Sequence, residues 1–117
     1  MTYPALKNKA QKVFNAFIRE RDKDLWCISC GSFNTAHASH FYAAGKYTGL
    51  CFDVDNVHLS CVKCNTFESG NLHEYRKRLL IKIGEKRLKE LDLKSDLFRF
   101  KKWDRQELEF IIITYKK

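Results

Sequence analysis

Cys61-Val62-Lys63-Cys64-Asn65 is the stretch on which the reading of this chain turns. Upstream, Cys27-Ile28-Ser29-Cys30 has the same Cys-x-x-Cys spacing, and thirty residues separate the two pairs. Two such knuckles supply four thiolates, enough to complete the tetrahedral shell of one structural zinc with bonds of about 2.3 Å. The competing reading is two disulfides. It fits poorly with two close pairs and an odd fifth cysteine, Cys51, which reads as a core residue. Between the knuckles stands His37-Ala38-Ser39-His40, and Asn65 follows the last cysteine directly. A shell of four cysteines has no need of these residues, so they suggest a second site beside the first.

The chain has 117 residues, the size of one domain. Its divisions read as an N-terminal helix over 1–24, a zinc-knuckle core with following helices over 25–91, and a C-terminal helical segment over 92–117. A hydrophobic fraction of 44% with nine Phe fills only a small core, so a metal staple is expected. Lys and Arg number 22 against 14 Asp and Glu, a net charge of +8, which favours a polyanionic partner such as nucleic acid. No apolar run is long enough to cross a membrane, Phe110-Ile111-Ile112-Ile113 included, and no signal peptide is expected. The expectation is a cytoplasmic protein with reduced thiols and no membrane partner.

Outward from the knuckles the pattern is helical. Pro4 sits in a first turn, and Leu6, Ala10, Val13, Phe14, Phe17 and Ile18 mark one face of a helix running to about Asp22. From Leu25 to Ser60 glycines punctuate short β-rich stretches, and Leu50 to Leu59 alternates as a strand would. A helix is expected to begin near Cys64. Leu72, Tyr75, Leu79, Leu80 and Ile83 mark its apolar face, and Gly84 ends or kinks it. Arg87 to Leu93 reads as a further short helix. Asp104 with Glu107 forms a capping box for a last helix that buries Leu108, Ile111, Ile112 and Tyr115.

These residues resemble a known family. A histidine at the end of one strand, an asparagine before the next, and an asparagine at a helix start are the HNH endonuclease pattern, here His40, Asn56 and Asn65. The resemblance is closer to the phage NinG proteins, the Rap-like recombination endonucleases of lambdoid phages. It is carried by Phe14 through Asp22, Cys27 through Gly31, and the run from Cys64-Asn65 through Ser69-Gly70-Asn71-Leu72 to Tyr75-Arg76. It covers Leu6 to about Leu91 and continues weakly to Tyr115. In longer family members a cysteine-bearing, basic region precedes this part. Phage endonuclease VII is similar locally, with His37, His40, Asn65 and Glu68 at its working positions. The departure is His37, where these families usually place aspartate.

The resemblance implies an α+β fold: a small zinc-stabilised ββα-metal core, of the treble-clef or His-Me finger type, flanked by helices. It implies a DNA endonuclease, encoded by a phage or prophage, that cuts branched DNA such as Holliday junctions or D-loops during recombination. Phosphodiester hydrolysis needs an activated water, charge stabilisation at the phosphorane and help for the departing 3′ oxygen, and one divalent ion supplies the last two. His37 and the side-chain oxygen of Asn65 are the expected ligands of a catalytic Mg2+ or Mn2+. His40 is the general base, since imidazole titrates near pH 6.5. Asn56 ties the hairpin together and fixes the orientation of His40. Glu68 reads either as a further ligand, direct or through water, or as a solvated helix residue. Imidazole at the first ligand position shifts preference toward manganese, cobalt, nickel or zinc.

Each assignment has a plainer rival. His37 and His40 could be surface histidines, and His58 reads as a packed or DNA-facing strand residue held in reserve as a base. Arg76, Lys77, Arg78, Lys82, Lys86, Arg87 and Lys89 are either a solvated helix face or a phosphate-binding surface. The same holds for Lys7, Lys9, Lys12, Arg19 and Arg21. Two other functions stay open: a zinc-stabilised DNA-binding module without catalysis, and an HNH nuclease acting on duplex DNA. A resolvase cuts two strands symmetrically, so a homodimer is compatible with the leading reading. The last helix, apolar on more than one face, is its candidate contact.

Overall fold

The computed structural model describes residues 1–67 and 71–116. Helix α1 (Tyr3–Arg21) starts where the Thr2 hydroxyl accepts the Ala5 N–H at 3.2 Å, and Asp22 closes it. Its stripe of Leu6, Ala10, Phe14 and Ile18 is buried against Leu108 and Ile112 of α4 (Arg105–Tyr115). Cys51, Phe52 and Val57 complete this cluster. The two edge-to-face contacts of the Phe14 ring, with Phe52 at 5.8 Å and Tyr115 at 4.8 Å between centroids, add to the area term. Helix α4 starts on a full capping box. The Asp104 carboxylate accepts the Glu107 N–H at 2.8 Å, and Glu107 accepts the Asp104 N–H at 3.1 Å.

The second cluster gathers Tyr75, Leu79 and Ile83 of α2 (Leu72–Ile83) and Leu88 and Leu91 of α3 (Glu85–Leu97), with Ile28 and Leu50. Gly84, at φ +88°, ends α2 as its sequence position suggested. Leu72 and Leu80, expected on the buried face, are each 45% exposed. Helix α3 is longer than the expected Arg87–Leu93, because no Gly or Pro interrupts good helix formers from Glu85 to Leu97.

Between the clusters lies a two-stranded antiparallel sheet, β1 (His37–His40) with β2 (Val57–Ser60). Its register pairs His37 with Ser60 and His40 with Val57. Strand alternation puts Ala38, His40, Val57 and Leu59 on one face, and Ala38 and Val57 pack there on the α1 cluster. His37, Ser39, His58 and Ser60 take the other face, where the His58 ring meets Tyr75 of α2 edge-on at 6.1 Å. The buried Tyr75 hydroxyl donates to the Ser39 carbonyl at 2.7 Å and so pins α2 to β1.

Two expectations need correction. The strand expected over Leu50 to Leu59 is confined to Val57–Ser60. Thr48–Leu50 is a 3₁₀ turn, and the next residues turn again because Asp53 and Asn56 bind local backbone. The helix expected from Cys64 is a π-helical turn over Lys63–Phe67, and α2 proper begins at Leu72. Among the described residues the fold is mixed α+β, four α-helices around one hairpin, with four cysteines gathered at one end of it.

Candidate metal centre

The sulfurs of Cys27, Cys30, Cys61 and Cys64 lie within 4.8 Å of one another, and all four cysteines are free. A tetrahedral shell with bonds of about 2.3 Å sets its sulfurs roughly 3.8 Å apart. Cys30 Sγ and Cys61 Sγ stand 3.7 Å apart, so this donor set fits one zinc. The knuckle turns aim amides at the sulfurs. Cys27 Sγ accepts the Ser29 and Cys30 N–H groups and Cys61 Sγ accepts that of Cys64, each at 3.4 Å. Without a cation, the thiols cannot all ionise. Burial pushes Cys64 up to about 12. At Cys27 burial is opposed by amide bonds from Cys30, Cys61 and Ser29, which bring it down to about 7. A zinc ion held by the four cysteines would resolve that conflict, because a coordinated thiol is deprotonated outright. Among the described residues no other three His, Cys or acidic side chains come together so.

The second Cys-x-x-Cys knuckle also places Asn65. The Asn65 N–H donates to the Cys61 carbonyl at 3.1 Å, and its side-chain Nδ2 donates to His37 Nδ1 at 3.0 Å. The residue after the last cysteine and the first residue of β1 thus meet across 28 positions of sequence. With its amide turned over, Asn65 presents oxygen instead of nitrogen at the same place, beside an imidazole nitrogen. Two donors from two elements are then available to a divalent ion. Glu68, expected to assist, lies outside the described residues.

His40 is elsewhere. It is three residues beyond His37, so strand alternation sends the two side chains to opposite faces, with Cα atoms about 10 Å apart. The strand pleat therefore separates the two histidines, which the sequence reading places in one site. His40 Nε2 lies 3.1 Å from the Cys51 carbonyl, and that contact makes Nε2 the protonated nitrogen and leaves Nδ1 with its lone pair. Burial lowers its pKa below the usual histidine value. Asn56 is fully buried and holds the long connection between the strands. Its Oδ1 accepts the Tyr42 N–H at 2.8 Å, and its Nδ2 donates to the Tyr42 and Leu50 carbonyls at 3.0 Å. That clamp fixes the backbone one residue before the carbonyl that holds His40.

The family model described as Bacteriophage Lambda NinG protein matches residues 3–117. The chain belongs to the NinG family. It is 40% identical over 111 residues to Protein ninG of Escherichia phage 933W, a match covering 93% of this chain and 54% of that protein. Identity is 39% to Protein ninG of Escherichia phage lambda and 41% to that of Salmonella phage P22, each over 93% of this chain and 53% of the relative. The chain spans about half the length of the curated relatives it matches. No solved structure matches it.

In this NinG-family chain a buried ionic cluster, invisible in the sequence, sits behind the hairpin. Asp22 is 1% exposed, and its carboxylate accepts from Arg21 at 2.8 and 3.0 Å, from Lys82 Nζ at 2.8 Å and from the Leu59 N–H at 3.1 Å. Against the cost of burial, these partners bring its pKa down to about 2. His58, the reserve base, belongs to the same cluster. Its Nε2–H donates to the Asp55 carbonyl at 2.8 Å, and its Nδ1 accepts from Arg21 at 3.1 Å. Burial, with Lys82 nearby, drops it to about 3, so it is neutral, enclosed and unsuited to act on a substrate.

The same cluster changes the reading of the basic helices. Lys82 is matched by Asp22, so it is an internal ion-pair partner rather than a phosphate contact. Arg87 pairs with Asp55, and Arg76 grips Asp92 through two bonds of 3.1 and 2.7 Å. Arg78 donates to the Ser29 carbonyl at 2.7 Å and ties α2 to the first knuckle. Lys77 pairs with Glu74 at 3.3 Å. Lys86 is exposed and has no ion pair among the described residues. Of the expected phosphate-binding surface, Lys86 and, on α1, Lys9 and Lys12 are exposed with no ion pair among the described residues and remain free to meet a polyanion. No helix among the described residues is long and apolar enough to cross a membrane.

Proposed function

We propose that this chain is a metal-dependent endonuclease of the HNH kind, a ββα-metal core stapled by zinc, that hydrolyses phosphodiester bonds in branched DNA of the Holliday-junction or D-loop type. The observation that carries the reading is the contact between His37 and Asn65. A zinc-pinned turn delivers an amide to a strand imidazole, and neither side chain serves the zinc. His37 Nδ1 and Asn65 Oδ1 would hold the divalent ion, Mg2+ or Mn2+. When bound, that ion supplies charge stabilisation at the phosphorane and at the departing 3′ oxygen.

His40 takes the proton of the attacking water through Nδ1. Its Nε2 contact with Cys51 keeps the ring in that tautomer, and its lowered pKa keeps it neutral near pH 7. The opposite pleats of His37 and His40 set a condition on the substrate. The scissile phosphate has to lie across the outer edge of β1, within reach of both faces. Asn56 keeps His40 in place by fixing the Leu50 carbonyl. A second reading, a DNA-binding module without cleavage, draws support from the sparse donor set, two neutral side chains among the described residues.

The test is incubation of a labelled four-way junction and a matched linear duplex with magnesium, manganese, cobalt, nickel or EDTA. The proposal expects junction cleavage with at least one ion and none in EDTA. Asn65→Ala should lose cleavage and regain part of it at high manganese. Protein that binds junctions and cuts with none of these ions is the inert module. Equal cutting of both DNAs points to a duplex nuclease.

A further inference from the structure

Residues 98–104 connect α3 to α4 and read Phe98-Arg99-Phe100-Lys101-Lys102-Trp103-Asp104. A connection of this kind is usually mobile, but here it is bolted down. The Thr48 N–H donates to the Arg99 carbonyl at 3.0 Å and the Gly49 N–H to the Phe98 carbonyl at 3.1 Å. The Thr48 hydroxyl donates to the Lys101 carbonyl at 2.7 Å, and the Trp103 indole donates to the Thr48 carbonyl at 2.8 Å. Gly49 is needed for this approach, since a Cβ there would fall 2.1 Å from the Phe98 carbonyl oxygen.

On this fixed loop Phe100 is 82% exposed. What sets Phe100 apart from the other exposed apolar side chains is its fixed backbone and the cations around it. Its surroundings are cationic. The Arg99 guanidinium lies 5.4 Å from the Phe100 ring centre and 4.8 Å from that of Tyr47. Lys102 and Lys46 are exposed and have no ion pair among the described residues, while Lys101 is matched by Glu107 at 2.8 Å. Protein-docking surfaces are depleted of lysine at their centres, whereas aromatic rings flanked by cations suit nucleic-acid bases between phosphates. The anchor is also close to the candidate site. Thr48 begins the 3₁₀ turn that leads to Cys51, whose carbonyl holds His40, about 6 Å along the turn axis.

We propose that the 98–104 loop is a base-stacking platform: Phe100 stacks on an unpaired DNA base, and Arg99 and Lys102 take the neighbouring phosphates. It rests on the DNA reading above and gives it a source of preference for DNA of the D-loop type, whose displaced strand carries unpaired bases, over fully paired DNA, since only unpaired bases offer a free face.

Equilibrium titration of the whole chain, without added divalent ion, against a fully paired duplex, the same duplex with one unpaired base, and a single strand tests this. Phe100→Ala should weaken binding to the two DNAs with unpaired bases by about 5- to 150-fold, the range of one base–aromatic stack. Binding to the paired duplex should be unchanged, and Phe100→Trp should behave as wild type. Gly49→Ala, which displaces the loop without altering its composition, should reproduce the selective loss. Phe100→Ala should keep its zinc and its circular dichroism, being exposed. An equal loss on all three DNAs, no loss on any, or no DNA binding by the wild type overturns the proposal. So does a loss of self-association in place of DNA binding, which makes Phe100 a contact between copies. D-loop cleavage that proceeds unchanged in Phe100→Ala sinks the platform and leaves the nuclease standing. Selective binding without cleavage does the reverse.

Discussion

Replacing Asp22 by Asn removes one charge from a site where four donors converge. Arg21, Lys82 and the Leu59 N–H bond this carboxylate, which is 1% exposed. Its pKa of about 2 against an ordinary 3.8 is worth about 2 kcal/mol at neutral pH, at 1.36 kcal/mol per unit. The sign follows from the direction. A depressed carboxylate stabilises the fold above pH 3.8, and that stabilisation is lost as pH falls through about 2. Removing the carboxylate also strands the partly buried Lys82, while Arg21 keeps the Val54 and Val57 carbonyls, and breaking such a pair costs about 3–5 kcal/mol. Asp22→Asn, which retains some hydrogen bonding, should therefore cost about 2–4 kcal/mol of a total near 5–15 kcal/mol. Urea unfolding at pH 7.5, with zinc saturating, measures it. The decisive arrangement is a double-mutant cycle with Lys82→Met, a change that keeps the aliphatic stem. Lys82→Met should cost much less in the Asp22→Asn background than in wild type, with a coupling above about 1 kcal/mol. Additivity within about 0.5 kcal/mol would refute the ion pair and return Lys82 to the DNA-binding surface.

Three further outcomes are expected. Native mass spectrometry of reduced protein should find one zinc per chain, and Cys30→Ser should lose it with unfolding of the hairpin, because binding energy is folding energy here; a metal-free fold with disulfides would contradict the centre. His40→Ala should lower junction cleavage by roughly 10²–10⁴-fold with zinc content and DNA affinity intact. In the wild type, the single-turnover rate should hold as pH falls through 6.5 and drop only below it, since burial lowers the His40 pKa and the base works when neutral; a rate that halves near pH 7 or above would assign the proton to another group. Asn56→Ala should cost about 2–4 kcal/mol in thermal or urea unfolding, because it orphans the Tyr42 N–H and the Tyr42 carbonyl and leaves the Leu50 carbonyl only the Asp53 N–H; a loss below about 0.5 kcal/mol would mean that the strand connection holds itself.

What could be read from sequence was whatever rests on local chemistry. Cys-x-x-Cys spacing fixes the distance between two sulfurs within a turn, so Cys27, Cys30, Cys61 and Cys64 were legible as one centre before any coordinates. The period of Leu6, Ala10, Phe14 and Ile18 and the Asp104–Glu107 cap act over one to four turns of helix, and α1 and α4 appear where they point. The residues shared with NinG proteins carried the family. Tertiary structure decided everything that depends on parity, pairing and charge at a distance. Two residues three apart look like neighbours in a sequence, but a strand alternates its side chains, so His37 joins Asn65 while His40 turns to Cys51. Leu50 to Leu59 alternates like a strand, yet the buried bonds of Asn56 bend it into a loop. Lys82 looks like any lysine on a basic helix until Asp22, sixty residues earlier, is found beneath it. Such pairing has no sequence signal, because the energy of a buried charge depends on what the fold places within about 3 Å of it and not on what precedes it in the chain.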